Sequence, residues 1–179
     1  MIAVFLADGF EEIEALATVD ILRRAGLTVR TVGVGTANPI GAHHMQVKAD
    51  MLDVELNAST LNAVVLPGGM PGTLNLEKST VVQDAIQYAA EHKLPIGAIC
   101  AAPSILGHGG YLHGLRATCY PGFETDLDGA VSVDCAVITD GNITTASGAG
   151  VAVDFALELV SRLASSDAAA EIRSAIQCR

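Results

Sequence analysis

Four short aliphatic runs, each stopped by a turn of small residues, constrain this chain more than any other feature. Residues 2–7 run into Asp8-Gly9, and residues 62–66 into Pro67-Gly68-Gly69. Residues 96–99 run into Cys100-Ala101-Ala102-Pro103, and residues 143–146 into Ser147-Gly148-Ala149-Gly150. Apolar runs this short, without polar alternation, read as strands buried on both faces. Stretches with helical spacing lie between them. Over residues 11–25 the side chains of Ile13, Leu16, Ala17, Ile21, Leu22 and Ala25 share one predicted face. Glu11, Glu12 and Glu14 crowd its first turn, Arg23 and Arg24 its last, and Gly26 is placed to end it, as the helix dipole and a C-terminal cap favour. Further helices are expected over 80–92, 151–164 and 167–176, with a helical turn over 101–106. Additional strands are expected over 28–34, 45–48, 115–119 and 131–139. The alternation predicts an α/β fold, a mostly parallel sheet covered by helices on both faces, with residues 1–179 as one domain. In such sheets ligands bind beyond the carboxyl ends of the strands, where the four turns meet.

Charge and composition narrow the partners. Lys and Arg number 10 against 20 Asp and Glu, a formal charge of −10, which disfavours nucleic acid and anionic membranes. The chain has no Trp, 3 Tyr and 4 Phe, too few aromatics for reading bases by stacking. Residues 94–115 lack charge, but Pro95, Pro103 and several glycines break them, so no membrane helix is expected. Residues 1–7 have no preceding basic residue and end at Asp8, unlike a secretion signal. The expectation is a cytoplasmic protein with reduced thiols. Cys100, Cys119, Cys135 and Cys178 form no C-x-x-C pair, and the adjacent His43-His44 and the flanking His108 and His113 are weak ligand signals, so no metal is expected. Neither glycine-rich turn matches a dinucleotide or triphosphate fingerprint, so no such cofactor is expected either.

The chemistry must then come from side chains at the strand ends. A cysteine between a buried strand and a helix start can sit on a sharp turn, where free N–H groups and the helix dipole favour a thiolate. The plain alternative for Cys100 is an inert core thiol. Pro67-Gly68-Gly69 is either a simple turn or a place where backbone N–H groups meet an oxyanion. Of the three glutamates, Glu11 and Glu14 fall on nearly the same side of the helix with Glu12 rotated away, and any of them could reach a site beyond the first strand. A carboxyl beside the thiol would hold its proton more tightly and could share it with sulfur.

Three motifs occur together: Asp8-Gly9-Phe10-Glu11-Glu12-Ile13-Glu14, Val64-Val65-Leu66-Pro67-Gly68-Gly69 and Ala98-Ile99-Cys100-Ala101-Ala102-Pro103. In these the chain resembles the ThiJ/PfpI superfamily, and within it the parkinsonism-associated branch, from residue 2 to about residue 164. The resemblance implies a flavodoxin-like three-layer sandwich that forms homodimers and uses no cofactor. It implies that Cys100 is the nucleophile, that Glu14 is hydrogen-bonded to it, and that the N–H groups of Gly69 and Ala101 form an anion site beside Gly68. The implied activity is glyoxalase III or deglycase-like action on small 2-oxoaldehydes or glycated substrates. The alternatives are an oxidative-stress sensor, in which Glu14 holds a Cys100 sulfinic acid, and a redox-regulated chaperone. Many members carry a histidine where this chain has Tyr120, preceded by Cys119, so a Cys–His peptidase dyad is absent. Cys119 would be a resolving thiol if it lay near Cys100. His44 stands where the branch has one site arginine, and Arg24 matches another.

Overall fold

A computed structural model describes residues 1–178. The strands are β1 (Ile2–Leu6), β2 (Val29–Gly33), β3 (Met51–Leu52), β4 (Ala63–Leu66), β5 (Ile96–Ile99), β6 (Arg116–Ala117), β7 (Val131–Ser132), β8 (Val137–Asp140) and β9 (Ile143–Ala146). The helices are α1 (Glu12–Arg24), α2 (Gly72–Lys78), α3 (Thr80–Glu91), α4 (Pro103–His108), α5 (Ala152–Leu163) and α6 (Ser166–Ala175). The main sheet runs β3-β2-β1-β4-β5-β9-β8. Every neighbouring pair is parallel except β8 with β9. β6 and β7 form a separate small ribbon.

The two-residue period of the strands sorts the core into two layers. Ala3 and Phe5 of β1, Val64 and Leu66 of β4, and Ala98 of β5 face α3 and α4. Val4 and Leu6, Val65, and Ile99 face α1, α5 and α6. The result is a flavodoxin-like three-layer sandwich. Phe5, Phe10 and Phe155 are its largest fully buried side chains, and each contributes on the order of 2–3 kcal/mol of hydrophobic stabilisation.

α1 starts at Glu11, whose carboxylate accepts the Glu14 N–H at 2.7 Å, and ends before Gly26, whose φ is 73°. Its buried face differs from the expected one. Ile13 is 56% exposed and Leu16 37%, while Glu12, Glu14, Ala15 and Thr18 are buried. The helix is turned so that two carboxyl groups point inward, at the cost of two aliphatic side chains left outside. α2 was not anticipated, because its seven residues are too few to show a period. Residues 45–48 are not a strand. They form the return arm of a hairpin bridged between Ile40 and Gln46. The expected strand over 131–139 is divided into β7 and β8, with Asp134-Cys135 between them.

The candidate active site at the end of the fifth strand

Cys100 stands where β5 ends. Its N–H bonds the Ala146 carbonyl at 2.9 Å and so prolongs the ladder with β9. Its own φ is 66°, in the left-handed region. A residue with a β-carbon is disfavoured there by about 1–2 kcal/mol, and neighbouring bonds hold it in place. The Ala102 N–H reaches back to the Ile99 carbonyl at 3.1 Å, and the Tyr120 N–H bonds the Cys100 carbonyl at 2.8 Å. Ser104 Oγ donates to the Ala101 carbonyl at 2.7 Å. Strand, strained turn and short helix together form a nucleophile elbow with sulfur at its tip.

The backbone N–H groups of Ala101 and Gly69 lower the thiol's pKa, and the Glu14 carboxyl faces it. Gly69 adopts φ 89°, and a Cβ there would fall 2.4 Å from the Glu11 nitrogen. Only glycine fits this position. At Gly68 a Cβ would lie 2.7 Å from the Cys100 Cβ and 2.8 Å from Glu14 Oε2. The Gly68 N–H donates to that oxygen at 2.8 Å. Glu14 Oε1 is buried without a hydrogen-bond partner.

Burial pushes the Glu14 carboxyl up to about 7, with help from the nearby Glu11 charge and against the bonds from Gly68 and Cys100. Burial also pushes the Cys100 thiol up to about 12, with the Glu14 carboxylate adding to the rise and the two N–H groups opposing it. The expectation that the turn and the helix start would favour a thiolate is therefore corrected. Desolvation and a facing carboxylate outweigh the backbone donors. The two groups titrate as a pair and compete for one negative charge. A proton on Glu14 removes the repulsion, and the two N–H groups are then left to hold a thiolate. The orphan oxygen is the natural place for that proton, since a neutral carboxyl can donate where an ionised one cannot.

The remaining expected residues scatter. Arg24 lies in the last turn of α1, ten residues beyond Glu14 and so roughly 15 Å along the axis. It pairs with Asp20 at 2.7 Å and is removed from the site periphery. His44 sits exposed at the hairpin tip with φ 66°. Cys119 is buried in the α3–α4 layer, whereas Cys100 packs against the other one. Burial raises the Cys119 thiol to about 11. It lines a cavity of about 220 Å³ with Pro121, Glu124, Asp134 and Ser147. Tyr120 contributes its backbone to the elbow, and its ring lies against Gly148. Sequence reasoning singled out neither Glu12 nor His43, whose side chains meet at 2.9 Å. With Glu11 they are the one group of metal-ligand type among the described residues, their ligand atoms lying within 4.8 Å of one another. There the imidazole and the Glu12 carboxylate are bonded to each other.

Comparison with known proteins follows the same geometry. The profile of the DJ-1/PfpI family matches residues 1–162. Protein DJ-1 homolog B of Arabidopsis thaliana is 33% identical over 163 residues, which are 90% of this chain and 37% of that protein. The chain thus spans little more than a third of that relative's length. A deglycase of Pyrococcus abyssi is 33% identical over 144 residues, 79% of this chain and 86% of the relative. Among solved structures, oxidized DJ-1 of Toxoplasma gondii superposes with a TM-score of 0.95 at 30% identity, covering 98% of this chain and 97% of that one.

Proposed function

The chain belongs to the DJ-1/PfpI family, and from that premise we propose that it detoxifies small 2-oxoaldehydes by cysteine chemistry without a cofactor. One observation carries the reading: a half-buried thiol on a left-handed elbow faces a buried carboxyl that has an unpartnered oxygen. The relative named a deglycase supports it.

Ionised Glu14 takes the proton of the Cys100 thiol as the sulfur adds to the aldehyde carbon of methylglyoxal and forms a C–S bond, and the carbonyl oxygen then receives that proton. The Gly69 and Ala101 N–H groups stabilise the developing oxyanion. Ionised Glu14 then removes the proton from the hemithioacetal carbon and returns it to the adjacent carbon, which had been the ketone, while the hydroxyl proton passes from the first oxygen to the second. The product is a thioester of lactate. Water cleaves it, giving lactate and the free thiol, so one water is consumed and no electrons leave the substrate. The test is lactate production from methylglyoxal. Wild type should form it and Cys100→Ala should not; equal rates in the two proteins would overturn the reading.

A second reading rests on the same unpartnered oxygen and on the oxidized relative. Peroxide would oxidise Cys100 through a sulfenic to a sulfinic acid, and protonated Glu14 would donate to one sulfinate oxygen. Mass spectrometry of whole protein after peroxide titration should then show a gain of two oxygens that Cys100→Ala abolishes.

We also propose that a second copy covers the apolar face formed by Ile13 and Leu16 of α1, Ile40 and Met45 of the hairpin, and Met70 and Leu74 near α2, all more than a third exposed. Backbone bonds between these segments hold the face together.

A further inference from the structure

Glu12 is buried, with 2% of its side chain exposed, but no step of the proposed chemistry uses it. Its carboxylate points at the tip of the hairpin. Oε1 accepts the N–H groups of His43 at 2.8 Å and Met45 at 3.4 Å, and Oε2 meets His43 Nδ1 at 2.9 Å. The tip lies so close that a Cβ on Gly41 would fall 2.2 Å from Oε1. Backbone bonds extend the contact: Gly9 N–H to the Ile40 carbonyl at 2.7 Å and Ala42 N–H to the Phe10 carbonyl at 2.8 Å.

The other side of residues 9–11 carries the turn that arms the sulfur. The Glu11 N–H bonds the Gly68 carbonyl at 2.9 Å, and the Gly72 N–H bonds the Gly9 carbonyl at 3.2 Å. Residues 9–11 are therefore held between the hairpin and Pro67-Gly68-Gly69. Any loosening of the hairpin frees the segment on which Gly69 rests, and the same turn packs against Cys100, where a Cβ on Gly68 would fall 2.7 Å from the Cys100 Cβ; the Gly69 N–H is one of two that favour the ionised sulfur.

We propose that Glu12 and His43 are positioning residues, a charge-dependent clasp that sets Cys100 reactivity by keeping the Gly69 N–H on the sulfur. This rests on the reading of Cys100 as the nucleophile. The clasp is tightest when His43 is protonated, as an ion pair with Glu12, and weakens when the imidazole loses its charge and only hydrogen bonds to the carboxylate remain. The groups facing His43 are Glu12 and, at 3.9 Å, Glu11, both from α1; His44 adjoins it on the hairpin. Both carboxylates favour the imidazolium, and His43 holds its proton above the ordinary histidine range. Glu12 stays ionised below the usual carboxylate range because His43 and the backbone donors outweigh its burial.

The experiment is the pH dependence of Cys100 alkylation by neutral iodoacetamide, followed by peptide mass spectrometry in wild type, His43→Ala and His43→Lys. His43 is 68% exposed, so both variants should fold, and circular dichroism checks this. His43→Ala should slow Cys100 by up to about fivefold at pH 6, the scale of a partly exposed ion pair. It should also remove the histidine inflection from the profile. His43→Lys, with its permanent cation, should restore the rate without the inflection. A His43→Ala profile that superimposes on wild type overturns the clasp. A Cys100 no faster than Cys135 in every protein at every pH overturns the nucleophile reading itself.

Discussion

Glu14 is almost fully buried, and its carboxyl rises from 4.5 to about 7. A folded-state value above the unfolded one means that Glu14 does not weaken the fold below pH 4.5. The cost grows as pH rises from 4.5, where the unfolded chain begins to ionise, and is complete above about 7. The full effect corresponds to about 3 kcal/mol. Glu14→Gln keeps an oxygen for the Gly68 N–H but cannot ionise. The variant should therefore be more stable than wild type at pH 8.5, by about 1–3 kcal/mol, and the advantage should vanish at pH 4.5. Urea unfolding at the two pH values measures this, and an equal advantage at both would refute the assignment of the ionisation to Glu14. The same substitution should abolish lactate formation, because an amide cannot carry the proton between carbons.

Among the elements, the Pro67-Gly68-Gly69 turn packs closely against Cys100 and Glu14. Ala in place of Gly68 would drive a methyl between the Cys100 Cβ and Glu14 Oε2. It should cost about 1–3 kcal/mol as an overpacking change and slow Cys100 alkylation. Gly150→Ala, where a Cβ meets nothing within 4 Å, should change stability by less than about 0.5 kcal/mol. Thermal melts and alkylation rates of the two variants, taken side by side, test the contrast. The strand ends were readable from sequence because buried parallel strands are uninterrupted apolar runs and their turns need small residues. The inward face of α1 was misread for the opposite reason. A pattern search assigns Ile13 and Leu16 to the core, whereas the site needs Glu14 there and the hairpin needs Glu12. Cys100 stood out by its place between a buried strand and a helix start, whereas Glu14 was separated from Glu11 and Glu12 only by its motif. The Glu12–His43 contact spans 31 residues, and no local spacing links a hairpin tip to a helix start.

For the whole molecule, the exposed aliphatic face of α1 and the hairpin predicts association. Sedimentation equilibrium at micromolar concentration should give twice the 18.4 kDa chain mass for wild type. Ile13→Glu should give the single-chain mass, since an added charge in an apolar contact is left unpaired when buried. A dimer that survives Ile13→Glu would move the interface elsewhere. No helix among the described residues is long and apolar enough to cross a membrane. The order of assembly matters too. The elbow draws Glu14 and Gly69 from the first half of the chain, and the Cys100 N–H bonds the Ala146 carbonyl of β9 from the second. β9 is the last strand in the chain, so the backbone around Cys100 is complete only when the end of the sheet has joined its beginning.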